Sequence, residues 1–228
     1  MSKKENSIAN KKIFLTGACG GLGSSLALAL CQKQADVIVS DKNPRSLNIL
    51  CDKIIEHGGK EPMVLPLDLV GATPNDFLQL ANNIEENIGS LDVLIHTAAE
   101  FSGLTEFVHY EATRWLKEMQ INLNSPIFLT QAMIPMLKKN EGTIIFTLED
   151  LNTVSKAYWG AYGTTKGALA HFASTLEQEL ESDNIAVHSI TPPPMKTQLR
   201  SKAWPAENTE HLSMPEEVVN EYLSRIIK

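Results

Sequence analysis

Short apolar runs alternate with longer amphipathic stretches along almost the whole chain. The apolar runs fall at residues 13–16, 37–40, 63–67, 91–96, 143–148 and 185–190. Their length and their content of Val, Ile, Leu and Phe predict six strands buried on both faces. Between them the polar positions recur with helical spacing. Pro44 opens a helix that Gly58 and Gly59 stop near His57, since proline suits a first helical turn and glycine a helix end. Thr73 and Pro74 open another, ending at Gly89. Further helices are predicted over residues 106–120, 126–139, 158–181 and from Pro215 onward. Pro192, Pro193 and Pro194 force a turn without a helix. Strand–helix alternation of this kind predicts an α/β fold. The expected form is a Rossmann-type, doubly wound parallel sheet of about six strands in three αβα layers, with ligands at the carboxyl ends of the strands. Residues 11–228 are expected to form one domain and residues 1–10 a flexible polar tail. No domain-sized linker, repeat or low-complexity run interrupts the pattern.

Where the first run ends, the sequence reads Thr16-Gly-Ala-Cys-Gly-Gly-Leu-Gly23, and a helix follows directly. Gly17, Gly21 and Gly23 let backbone come close to a pyrophosphate, while the helix start offers free N–H groups and positive dipole. Asp41 closes the second strand about 20 residues further on, the distance at which a carboxylate meets an adenosine ribose. That carboxylate would repel an extra phosphate, so NAD is preferred; Lys42 beside it keeps NADP possible. The net charge of −7 argues against a nucleic-acid or anionic membrane surface. No apolar stretch is long enough to span a bilayer. Cys19, Cys31 and Cys51 have no metal-like spacing, no metal is expected, and reduced thiols suit a cytoplasmic setting.

Candidate chemistry lies at Tyr162 and Lys166, four residues apart in one predicted helix and so on one face of it. A phenol with its ordinary pKa near ~10 is a poor base at neutral pH, and a neighbouring ammonium group is expected to lower that value. So tuned, Tyr162 can pass a proton to or from a carbonyl or alcohol oxygen. His96, at a strand end, reads as structural.

Together these motifs resemble the short-chain dehydrogenase/reductase family over nearly the whole chain, in particular a bacterial subgroup of it. The resemblance implies that Gly17, Gly21, Leu22, Gly23, Asp41, Ala98, Met195 and Thr197 meet the cofactor. Asp68 and Leu69 would contact adenine. Tyr162 and Lys166 would be the catalytic pair, with Asn122 holding a water that links Lys166 to solvent. It also implies a homodimer or homotetramer paired through the helices at 126–139 and 158–181.

Four positions depart from the family pattern. Glu149 stands thirteen residues before Tyr162, where the family places a catalytic serine. An ionised carboxylate cannot donate to a substrate oxygen and would repel an oxyanion. Thr97 and Ala99 replace an asparagine and a glycine, and Pro193 replaces the glycine of a P-G turn. The family's usual seventh strand is not expected, which would leave the sixth as an edge. Three functions therefore remain open to the chain. The first is an NAD(P)-dependent oxidoreductase moving hydride to or from a small carbonyl or alcohol. The second is a dinucleotide-binding regulator or scaffold without turnover. The third is a non-redox isomerase or dehydratase with Glu149 as base. The substrate is expected near Glu149, Trp159, Met195 and Trp204.

Overall fold

A computed structural model describes residues 7–227. Six parallel strands form one sheet in the order β3-β2-β1-β4-β5-β6. They are β1 (Lys12–Thr16), β2 (Asp36–Asp41), β3 (Met63–Pro66), β4 (Val93–His96), β5 (Thr143–Thr147) and β6 (Ala186–Ile190). The chain winds outward from β1 to β3, then crosses back to β4 and winds outward the other way. That reversal opens a crevice between the carboxyl ends of β1 and β4, the place where such sheets hold ligands. The register aligns those ends: Thr16 lies beside Ser40 and His96, and Thr147 beside Ile190.

Alternation along each strand feeds two cores. Ile13 and Leu15 of β1 face one layer with Val37 and Val39, under α1 (Gly21–Gln32), α2 (Pro44–Glu56) and α9 (Pro215–Ile226). Phe14, Ile38, Leu94 and Phe146 face the other, under α3 (Pro74–Ile88), α5 (Ser125–Lys138) and α7 (Gly160–Glu179). These strands are apolar on both faces because both faces are covered. β6 is an edge of the sheet.

Caps set the helix starts. Asn43 accepts from the Arg45 and Ser46 backbone N–H groups ahead of α2. Thr73 and Asp76 form a reciprocal capping box at α3. The region expected as one helix over 106–120 is broken. A single 3-10 turn, Phe107–His109, precedes α4 (Ala112–Met119). α4 then runs through a π-helical turn, Gln120–Asn124, into α5. The helix expected from residue 158 begins at Gly160, because Tyr158 has a positive φ of 76° that a right-handed helix does not admit. Two short helices were not expected: α6 (Leu151–Val154) and α8 (Gln198–Ala203). The tail expected over 1–10 lies outside the described residues up to residue 6. Beyond it, Ile8 is buried and the Asn10 N–H donates to the Gln34 carbonyl. Among the described residues no helix is long and apolar enough to cross a membrane.

Candidate active site

The glycine turn is built by backbone contact. Gly17 has φ +66°, and a Cβ there would sit 2.6 Å from the Ala98 backbone. A Cβ on Gly23 would sit 2.1 Å from the Gly17 carbonyl oxygen, and one on Gly21 would sit 2.8 Å from Thr197 Cγ2. The turn therefore brings β1, the segment after β4 and the start of α8 together without side chains between them. α1 starts differently from α2 and α3. Its N-cap is Gly20, no side chain caps it, and its first turn holds no acid. Its first N–H groups stay free to meet an anion.

These groups open on one cavity of about 710 Å³ along the carboxyl edge of the sheet. Gly17, Gly21, Leu22, Gly23, Asp41, Asp68, Leu69 and Ala98 line it, and so do Glu149, Tyr162, Lys166, Met195 and Thr197. Thus every residue expected to meet the cofactor borders a single space, together with Glu149, Tyr162 and Lys166 of the expected catalytic set. Asn122 does not. Asp41 is held from the turn itself, where the Cys19 N–H donates to Asp41 Oδ2 at 3.1 Å. Thr197 caps α8 through Arg200 N at 3.2 Å, and Met195 forms a parallel bridge with Ser213. An uncapped helix start, a turn with no room for a Cβ at Gly17, Gly21 or Gly23 and a carboxylate at the end of β2 suit a dinucleotide, so the residues present fit a nicotinamide cofactor.

At the far end, Tyr162 Oη donates to Glu149 Oε1 at 2.8 Å. Tyr162 is buried, and burial first, then the Glu149 charge, pushes its pKa well above the ordinary value. This corrects the expectation that Lys166 lowers it. Lys166 is also buried. Its Nζ donates to the Thr147 carbonyl at 2.9 Å and lies 5.6 Å from the Tyr162 ring centroid. Burial lowers its own pKa, while Glu149 acts in the opposite sense. The same-face geometry holds, but the phenol faces a carboxylate and not the ammonium.

Local packing places Glu149. Leu148 N donates to Ile190 O at the end of β5. Asp150 then caps α6, accepting from Asn152 N and Thr153 Oγ1. α6 rests on Gly163, where a Cβ would sit 2.1 Å from the Val154 carbonyl oxygen. Glycine in Tyr162-Gly-Thr-Thr-Lys166 thus lets the 149–154 segment close on α7.

Asn122 sits in the π-helical turn and does not line the cavity. Its Oδ1 accepts from Glu100 N at 2.7 Å and its Nδ2 donates to Glu100 O at 2.8 Å. It clamps the segment after β4, which carries Ala98 and Ala99. Sequence reasoning missed Glu100, which borders the cavity and whose carboxylate meets Lys42, Lys117 and Lys202. Trp159 and Trp204 do not line the cavity. Trp159 packs with Phe101 and Tyr162, and Trp204 lies under Arg200 in an adjoining groove. His96 is structural: it is buried, lies 2.9 Å from Thr130 Oγ1 and stacks on Phe146, and burial pushes its pKa down to about 3.

A family model described as short chain dehydrogenase matches residues 11–208. The uncharacterized oxidoreductase YciK of Escherichia coli K12 is 30% identical over 96% of this chain and 87% of its own. A short chain dehydrogenase from Shigella flexneri, solved in complex with NADP, superposes with a TM-score of 0.93. It is 30% identical and covers 99% of this chain and 94% of its own. One from Escherichia coli CFT073, complexed with NADPH, gives a TM-score of 0.92 at 30% identity, over 98% and 94% of the two chains.

Proposed function

The chain belongs to the short-chain dehydrogenase family, and from that premise we propose that it exchanges hydride between a nicotinamide cofactor and a small carbonyl compound or alcohol. One observation carries this reading. The glycine turn, Asp41, Lys166 and Tyr162 border the same cavity, although they come from opposite ends of the sequence. When bound, the nicotinamide supplies or takes up the hydride. The backbone of residues 17–23 and the free start of α1 would hold the pyrophosphate. Asp41 would receive the adenosine ribose hydroxyls, and Asp68 and Leu69 would border the adenine. Ala98, Met195 and Thr197 would bound the other half of the cofactor, and Lys166 would hold its second ribose.

Tyr162 and Glu149 handle the proton. An alcohol at Tyr162 Oη gives up its proton there as the phenol's own proton passes to Glu149 Oε1. The bond already present at 2.8 Å is the second link of that chain. Glu149 occupies the place of the family serine and favours a substrate that donates a hydrogen bond over one that only accepts. Asn122 keeps the Ala98–Glu100 backbone in place.

Asp41 favours NAD over NADP, as a carboxylate opposes a ribose phosphate. Lys42 beside it, loosely paired with Glu100 at 3.8 Å, is the counterweight. Titration with NADH and NADPH, followed by tryptophan fluorescence, tests the cofactor reading. Saturable binding of NADH tighter than NADPH is expected, the reverse order would overturn the preference, and no binding of either would overturn the function. The Tyr162–Glu149 bond also favours a second reading, a dinucleotide-binding regulator without turnover. Cofactor binding without hydride exchange across a panel of alcohols and carbonyls would favour it.

A further inference from the structure

Glu149 is a carboxylate on a cavity wall with no cation paired to it. Among the described residues no salt bridge reaches it, while three lysines gather on Glu100 nearby. Lys166, whose pKa the Glu149 charge acts to raise, turns its ammonium group to the Thr147 carbonyl. Oε1 of Glu149 takes the Tyr162 hydrogen bond. Oε2 takes none and is not sealed in the interior, and the residue borders the cavity. Phe101 borders the same space, with its ring 5.1 Å from that of Tyr162 and 5.2 Å from that of Trp159.

With the Lys166 ammonium engaged by the Thr147 carbonyl, this end of the cavity presents acceptor oxygen, the Glu149 charge and aromatic surface. A ketone oxygen has only lone pairs to offer, and the one phenol that could donate to it is already donating to Glu149. Negative charge developing on that oxygen would meet a carboxylate. A protonated nitrogen reverses each of these relations. Its N–H donates to a carboxylate in a charge-assisted bond, and its positive charge is favoured by the aromatic faces.

We propose that the substrate end of the cavity selects a small protonated imine, with the iminium N–H received by Glu149. The proposal rests on the hydride-transfer reading above and changes the reacting heteroatom from oxygen to nitrogen. The reductant is a reduced nicotinamide. The iminium carbon gains a C–H bond from its hydride, the C=N π pair becomes the nitrogen lone pair, and the products are a neutral amine and the oxidised nicotinamide. No proton moves in that step, so Tyr162 keeps its bond to Glu149 throughout. Tyr162 then acts as a positioning residue that fixes the carboxylate, and Glu149 is the group that meets the substrate.

The test uses the full chain at neutral pH with NADH and NADPH, and compares 1-pyrroline with cyclopentanone. The expected kcat/KM for the imine exceeds that for the ketone by about 100-fold, the scale of a hydrogen bond to a charged group. Glu149→Gln should bring the two within about tenfold of each other, whereas Glu149→Asp, which keeps the charge, should retain the preference. Calorimetry adds a readout without turnover: pyrrolidinium should bind the protein more tightly than cyclopentanol, and should lose about tenfold in affinity in Glu149→Gln. Ketone turnover equal to or above imine turnover would overturn the proposal and leave hydride transfer standing. So would pyrrolidinium binding that is indifferent to Glu149→Gln. Failure of both NADH and NADPH to bind would remove the hydride-transfer reading and this proposal together.

Discussion

Tyr162 directs its hydroxyl at a carboxylate 2.8 Å away, and two consequences follow at the scale of single residues. The phenol is held protonated, because burial and the Glu149 charge both oppose the phenolate. Its proton also has a defined acceptor. Tyr162→Phe is expected to lower kcat for alcohol oxidation by about 10²–10⁴-fold and leave NADH affinity within a few-fold, read from steady-state rates and fluorescence titration. Equal loss of both would mean that the ring only shapes the cofactor pocket. His96 makes a separate prediction. Its folded pKa of about 3 lies below the ordinary 6.5. Between those values the unfolded chain binds a proton that the folded chain refuses. Stability is therefore undiminished above pH 6.5 and falls as pH drops toward 3, with a loss on the order of a few kcal/mol. Thermal melts from pH 7 to pH 4 should show a shallower decline in His96→Gln than in the parent protein.

At the scale of elements, function depends on where ordinary helix rules are relaxed. α2 and α3 are capped by side chains, and α1 is not. The donors left free at α1 face the cavity, and glycine packing holds the turn there. Gly23→Ala should therefore reduce both dinucleotide binding and stability, since the new methyl would lie 2.1 Å from the Gly17 carbonyl oxygen. A fall in Tm together with a loss of NADH binding would confirm the coupling, whereas normal binding in a folded variant would refute it. The π-helical turn between α4 and α5 is the second relaxed rule. It carries Asn122, whose amide forms two hydrogen bonds with the Glu100 backbone. Asn122→Ala leaves that backbone without partners and should cost roughly 1–3 kcal/mol in chemical denaturation. Faster amide exchange at Glu100 would show that the loss is local. Helical periodicity identified residues 126–139 well, but a π-turn shifts backbone hydrogen bonds without changing composition, so nothing in the pattern marked it. α6 is too short for periodicity to register, and α8 follows a proline-rich turn that gives no periodic cue.

At the scale of the molecule, one parallel sheet gathers distant residues on one edge. The winding of the chain reverses between β1 and β4, so the turn near Gly17, the carboxylate of Asp41 and the α7 pair share a cavity. A ligand that binds this cavity only in the folded state should raise stability by about 2.7 kcal/mol at 100 times its Kd. NADH is expected to raise Tm further than NADPH at equal concentration, checked by parallel thermal melts. The sequence by itself determined the fold and the motifs that border its cavity. Apolar runs of strand length, glycine spacing and the Tyr162–Lys166 interval are local properties, and strand burial, turn geometry and helix facing follow from them. Only the tertiary structure decided the state of the site. Whether Tyr162 faces an ammonium or a carboxylate depends on how β5, α6 and α7 meet, through Gly163 and the Asp150 cap. Sequence spacing places Lys166 near the phenol, but burial and the position of Glu149 set the sign of its pKa shift. Those are sums over contacts between segments far apart in the chain, and no local pattern contains them.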